Sequence, residues 1–118
     1  MDGEIDPEEV ERLLASDDPP RVVDIRDPGA FERGHIPGSE NVPFPQIPDR
    51  AADLAGADRV VTVCPHGEAS VQAARLIGAA AGVDGRVESM RGGLTAWDGD
   101  VEAAVERSGR DEGPDAPF

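Results

Sequence analysis

The sequence contains no lysine and no tyrosine, and its 118 residues include one cysteine, one tryptophan and three phenylalanines. Each scarcity excludes something. Without lysine there is no Walker A phosphate loop and no Schiff-base amine. A single thiol, Cys64, forbids an intramolecular disulfide and with it a secreted disulfide scaffold. With aromatic residues at 3%, a core has to be assembled from valine, leucine, isoleucine and alanine. No stretch approaches the roughly 18 apolar residues of a membrane span, and the acidic segment Met1 to Glu11 has no apolar region of a signal peptide. The expected location is cytoplasmic, where a lone thiol stays reduced.

The 11 basic residues are therefore all arginine, and they face 25 aspartates and glutamates for a formal net charge of -14. Nucleic acid and anionic membrane are excluded as partners on this balance, because both need cations to neutralise phosphates. High charge with few aromatics also marks acidic disordered chains, but the apolar runs here indicate a folded one. Excess acid, arginine without lysine and small apolar residues together resemble the composition of proteins from extreme halophiles. A GC-rich genome would also favour Arg, Ala, Gly, Asp and Pro, though it does not by itself explain so large a charge. The length suits one domain, read as residues 1–107, followed by a mobile Gly, Pro and acid-containing tail over 108–118.

Asp6-Pro7-Glu8-Glu9 has the form of a capping box and predicts a helix to about Ser16. Arg21 to Ile25 and Arg59 to Val63 are β-branched runs that predict buried strands, and Arg86 to Ser89 a shorter one. Helices are expected from Asp27-Pro28 through Phe31, from about Asp49 to Leu54, and from Ser70 with Val71, Ala74, Ile77 and Ala81 on one face, closed by Gly82. Gly92-Gly93 leads into a helix carrying Leu94 and Trp97. Strands alternating with helices predict an α/β domain with a mostly parallel sheet, whose ligands bind beyond the carboxyl ends of the strands. Cys64 falls at that edge.

The segment Cys64-Pro65-His66-Gly67-Glu68-Ala69-Ser70 joins a strand to a helix. A loop wrapped around the sulfur would aim several backbone N–H groups and the positive end of a helix at it, lowering the thiol pKa and favouring the reactive thiolate. Gly67 permits close backbone approach or positive φ, and Ser70 can cap the helix and donate to sulfur. The plain alternative is a small buried hydrophobe at a strand end.

Asp24-Ile25-Arg26, Phe31, Gly34-His35-Ile36-Pro37-Gly38-Ser39 and Asn41-Val42-Pro43 resemble the N-terminal signature of the rhodanese-like (sulfurtransferase) family. Cys64 to Ser70 is similar to its active-site loop, and Arg91-Gly92-Gly93 with Trp97 to its C-terminal signature. The resemblance implies a five-stranded parallel sheet with helices on both faces. It also implies ping-pong transfer of a sulfane sulfur through a Cys64 persulfide, with the N–H groups of His66, Gly67, Glu68, Ala69 and Ser70 as the anion hole. A small sulfur-containing anion or a persulfide would be the donor, and cyanide, a thiol or a sulfur-carrier protein the acceptor. No metal or organic cofactor is expected. Phosphatases and arsenate reductases of similar architecture need Cys-x5-Arg, and here that position is Ser70.

Many thiosulfate-using members carry a basic residue late in the loop, where this sequence has Glu68 and Ala69. A carboxylate there would repel an anionic donor; Arg91 is the candidate for supplying the missing cation. The competing reading is a binding module or sulfur relay with little thiosulfate turnover. Asp24 and Arg26 are read as a structural ion pair, His35 as a strut in a turn, His66 as facing solvent, and Trp97 as core filling.

Overall fold

A computed structural model describes residues 2–103; the tail predicted over 108–118 lies outside them. Five parallel strands form one sheet in the order β1-β5-β4-β2-β3. They are β1 Glu4–Ile5, β2 Arg21–Asp24, β3 Glu40–Asn41, β4 Arg59–Val63 and β5 Arg86–Met90. The helices are α1 Pro7–Leu14, α2 Pro28–Arg33, α3 Ile47–Arg50 and α4 Ala69–Gly78, with 3-10 turns at Phe44–Gln46, Ala51–Leu54 and Gly93–Ala96.

A parallel sheet covered on both faces needs strands apolar in both directions, and Val22-Val23 and Val60-Val61 supply them. Side chains alternate across the sheet. Val23, Val60 and Val87 pack with Leu54, Ala74 and Ile77 on the face covered by α3 and α4. Val22, Val61, Val63 and Met90 pack with Val10, Leu13 and Trp97 on the face covered by α1. Thr62 and Ser89 share the parity of Val60 and Val87, so they enter the α4 layer as buried polar groups.

Several boundaries differ from the sequence reading, each for a local reason. The helix predicted to Ser16 ends at Leu14, with Ala15 as its C-cap, and the Asp6 side chain accepts no bond from the helix amides. Its carboxylate is engaged by Arg91 instead. The strand predicted through Ile25 ends at Asp24, although Ile25 N still donates to Val63 O. α2 continues past Phe31 to Arg33. The helix expected over 49–54 is split into α3 and a 3-10 turn, starting at Ile47 with Pro48 in its first turn. α4 starts at Ala69, with Glu68 as its N-cap, rather than at Ser70, and stops at Gly78; Gly82 has φ +85° in the turn that follows. Its buried face is Ser70, Ala73, Ala74 and Ile77, rotated from the predicted stripe because the Ser70 hydroxyl turns inward. The last predicted helix is a single 3-10 turn with Trp97 at its C-cap.

Beyond β2, Asp24 is 1% exposed and accepts from Arg26 N at 3.0 Å, Nε at 2.9 Å and Nη2 at 2.7 Å. Arg26 Nη2 also donates to Gly34 O at 2.7 Å. The His35 ring stacks on Phe31 at 3.8 Å, with Nδ1 2.7 Å from Phe31 O, and its backbone exchanges hydrogen bonds with Glu102. These contacts fix the turn that follows α2.

Candidate active site

β4 delivers Cys64 to the carboxyl edge of the sheet, and the loop to α4 closes around its side chain. The sulfur is 2% exposed. Gly67 N donates to Sγ at 3.0 Å and Ser70 N at 3.3 Å, and Ser70 Oγ lies 3.3 Å away. Burial pushes the thiol pKa up, and this is the largest single influence. The Ser70 hydroxyl and the N–H groups of Ser70, Gly67 and His66 together outweigh it, leaving Cys64 below its ordinary value. The N–H groups that point at the sulfur favour the thiolate over the thiol despite the burial.

The loop holds this shape because a second segment forms its floor. Gly67 has φ +86°, and a Cβ there would stand 2.7 Å from Gly92 N. Gly93 has φ +63°, and its Cβ would meet Cys64 O at 2.3 Å and Gly67 N at 2.6 Å. The two backbones therefore touch at positions where only hydrogen fits. Leu94 N donates to Cys64 O at 2.9 Å and Thr95 N to Pro65 O at 3.1 Å, so the start of the last 3-10 turn locks the start of the loop.

The predicted site residues separate into groups. Cys64, Gly67 and Ser70 are buried together, whereas His66, Glu68 and Ala69 are exposed on the outer side of the loop. The guanidinium of Arg91 is exposed and pairs with Asp6 and, at 3.5 Å, with Glu4. Trp97 packs on the α1 side of the sheet, its Nε1 donating to Asp100 O at 3.0 Å. Asp24, Arg26 and His35 form the separate cluster described above.

Two residues of the site were not singled out from the sequence. Ser89 Oγ lies 2.7 Å from Ser70 Oγ, and Thr62 Oγ1 donates to Ser70 O at 2.7 Å. A signal existed: each is a polar residue two positions after an inward-facing valine, Val60 or Val87, and a buried hydroxyl requires a partner. Among the described residues no three His, Cys, Asp or Glu side chains gather to hold a metal, and no helix is long and apolar enough to cross a membrane.

The family model of the rhodanese-like domain matches residues 6–100. The chain is 37% identical over 86 residues to the thiosulfate sulfurtransferase GlpE of Pseudoalteromonas translucida, covering 73% of this chain and 80% of that protein. It is 35% identical over 97 residues to a sulfurtransferase of Allochromatium vinosum, covering 82% and 89%. A rhodanese-like domain protein from Staphylococcus aureus superposes with a TM-score of 0.74 at 28% identity, over 87% of this chain and 98% of that one. The family match thus runs from Asp6, the N-cap of α1, through the cysteine loop, to the segment past Trp97: this chain belongs to the rhodanese-like domain family.

Proposed function

We propose that the protein is a sulfurtransferase that carries a sulfane sulfur on Cys64. The observation that supports this most is the pair of N–H groups, Gly67 N and Ser70 N, that donate to the sulfur, with the Ser70 hydroxyl 3.3 Å away. The thiolate attacks the outer sulfur of a donor such as thiosulfate. A new S–S bond forms, the old one breaks, and its electron pair leaves with sulfite. The persulfide carries its charge on the terminal sulfur, where the N–H groups of His66 to Ser70 form the anion hole. An acceptor such as cyanide then attacks that sulfur, thiocyanate departs, and the electron pair of the broken S–S bond restores the thiolate. The residues supply the whole sequence without metal or organic cofactor. Thiosulfate followed by cyanide tests it: thiocyanate forms with the intact protein and not with Cys64→Ala.

Arg91 enters this reading as the cation beside the loop's floor, since it precedes the Gly92 that touches Gly67. To meet a donor's sulfonate it must leave Asp6 and Glu4, and exposed pairs of this kind hold a side chain only weakly. Arg91→Ala is expected to raise the thiosulfate KM several-fold with kcat little changed. An unchanged KM would restrict Arg91 to its contacts with α1 and β1.

The exposed Glu68 and the absence of any cationic side chain within the loop favour a second reading, a cytoplasmic relay that takes sulfur from a persulfide and hands it to a thiol or a carrier protein. A persulfidated thiol offered in place of thiosulfate separates the two. Loading of Cys64 from the persulfide alone, without thiocyanate from thiosulfate, identifies the relay.

The charge of -14 fits a protein that works in concentrated salt. At 1 M the Debye length is about 3 Å, so mutual repulsion of surface carboxylates fades and distant charge no longer bars an anionic donor. The melting temperature is expected to climb from low to molar KCl; a flat profile would leave composition bias as the explanation.

A further inference from the structure

Ser89 lies one residue before the end of β5 and is fully buried, at 0% exposure. Among the described residues its hydroxyl has one hydrogen-bond partner, Ser70 Oγ at 2.7 Å. Ser70 Oγ in turn sits 3.3 Å from Cys64 Sγ, so three side chains form a line from the middle of the sheet to the sulfur. We propose that Ser89 is a positioning residue: it donates to Ser70 Oγ and so aims the Ser70 proton at the Cys64 thiolate.

The argument is a count of protons. Each serine hydroxyl has one proton to give. With the thiolate, Ser89 gives to Ser70 and Ser70 gives to sulfur, and each proton in the line has an acceptor. The thiol adds one proton too many. If S–H points at Ser70, the Ser70 proton must turn to Ser89, and the Ser89 proton faces a buried surrounding without an acceptor. If instead the line keeps its direction, the S–H is the group left without one. An unpaired buried donor is costly, and a low-dielectric interior strengthens a line of aligned hydrogen bonds. The line therefore favours the state with one proton fewer, beyond what Ser70 achieves alone.

No charged side chain substitutes for it. On the loop, His66 and Glu68 are exposed, and so is Arg75 on α4. Asp24 on β2 is held by Arg26 and Glu88 on β5 by Arg59, while Arg91 after β5 is held by Asp6. Among the described residues, what meets the sulfur is the backbone N–H groups of Gly67, Ser70 and His66 and the Ser70 hydroxyl, none of them a charged group.

The inference rests on Cys64 being the reactive thiol, but its test needs no sulfur donor. The rate of alkylation by iodoacetamide against pH gives the Cys64 midpoint directly. Ser89→Ala is expected to move that midpoint up by about half to one pH unit, a three- to tenfold loss of thiolate below both midpoints. Ser89→Thr, which keeps the hydroxyl, is expected to return it. In a Ser70→Ala background, Ser89→Ala is expected to add no further shift, because the line is already cut. A Ser89→Ala midpoint equal to wild type, or an equal shift with and without Ser70, overturns the proposal. Should Ser89→Ala fail to fold, Ser89→Thr decides: a wild-type midpoint supports the line, and a raised one refutes it. A sound alkylation result with no thiocyanate formation would count against sulfur transfer and leave the line intact.

Discussion

Cys64→Ala is expected to abolish sulfur transfer, lowering thiocyanate formation by at least about a thousandfold and removing the one-sulfur mass gain that thiosulfate gives the intact protein. The loss is near total because the chain has no other thiol and the intermediate is covalent. Stability should fall by only about 1–3 kcal/mol, since alanine fits the same buried position but leaves the Gly67 and Ser70 N–H groups without the sulfur they now face. The pH dependence follows from the same donors. The folded loop holds the Cys64 proton less tightly than an unconstrained thiol does, so thiolate persists below the usual thiol range. Activity then falls as pH drops through the lowered midpoint and is level above it. Residual Cys64-independent thiocyanate, or a rate that climbs only in the ordinary thiol range, would contradict the assignment.

Gly93→Ala is expected to cost about 3 kcal/mol or more and to lower the melting temperature by about 10 °C or more. Two penalties coincide at this position. The backbone is at φ +63°, which disfavours any L side chain, and the new methyl would lie 2.3 Å from Cys64 O and 2.6 Å from Gly67 N. Neither neighbour can rotate away, because both are main-chain atoms. Relief requires the loop to lift off its floor, which breaks the Leu94 N to Cys64 O bond and moves the donors around the sulfur. Activity should fall even in the fraction that stays folded. Gly38→Ala is the control: φ is +81° but nothing lies within 4 Å of the added carbon, so only the backbone term of about 1 kcal/mol applies. Equal melting shifts for the two variants would show that the contact between loop and floor carries no weight.

The parts legible in the sequence are those written in runs. β2 and β4 show as β-branched segments, β5 as a shorter run around Val87, and Cys64 to Ser70 as a turn-rich bridge after the strongest of them. β1 and β3 have two residues each, too few for any period to register; five strands came from the family resemblance. The rotation of α4 was hidden because Ser70, a polar residue, lies on its buried face. Helix pattern assumes that polar means outward, and a catalytic loop breaks that rule where it meets the core. The capping box failed at Asp6 for a similar reason: its carboxylate is spent on Arg91, a contact across 85 positions that no local pattern contains. Ser89 was passed over because a strand seen alone does not reveal which neighbour a hydroxyl will face.

The sheet order has a consequence for how the molecule comes into being on the ribosome. Among the described strands, β1 pairs with β5 alone, so Glu4–Ile5 emerges long before the strand it docks on. The cysteine loop waits as well, since Leu94 and Thr95 hold the carbonyls of Cys64 and Pro65. A nascent chain that has passed Val63 but not Thr95 carries a thiol without its finished ring of donors. The loop that places those donors is pinned to its floor only when the final turn is in place. The surroundings of the thiol are thus assembled from segments about thirty residues apart, and they are complete only once both have been made.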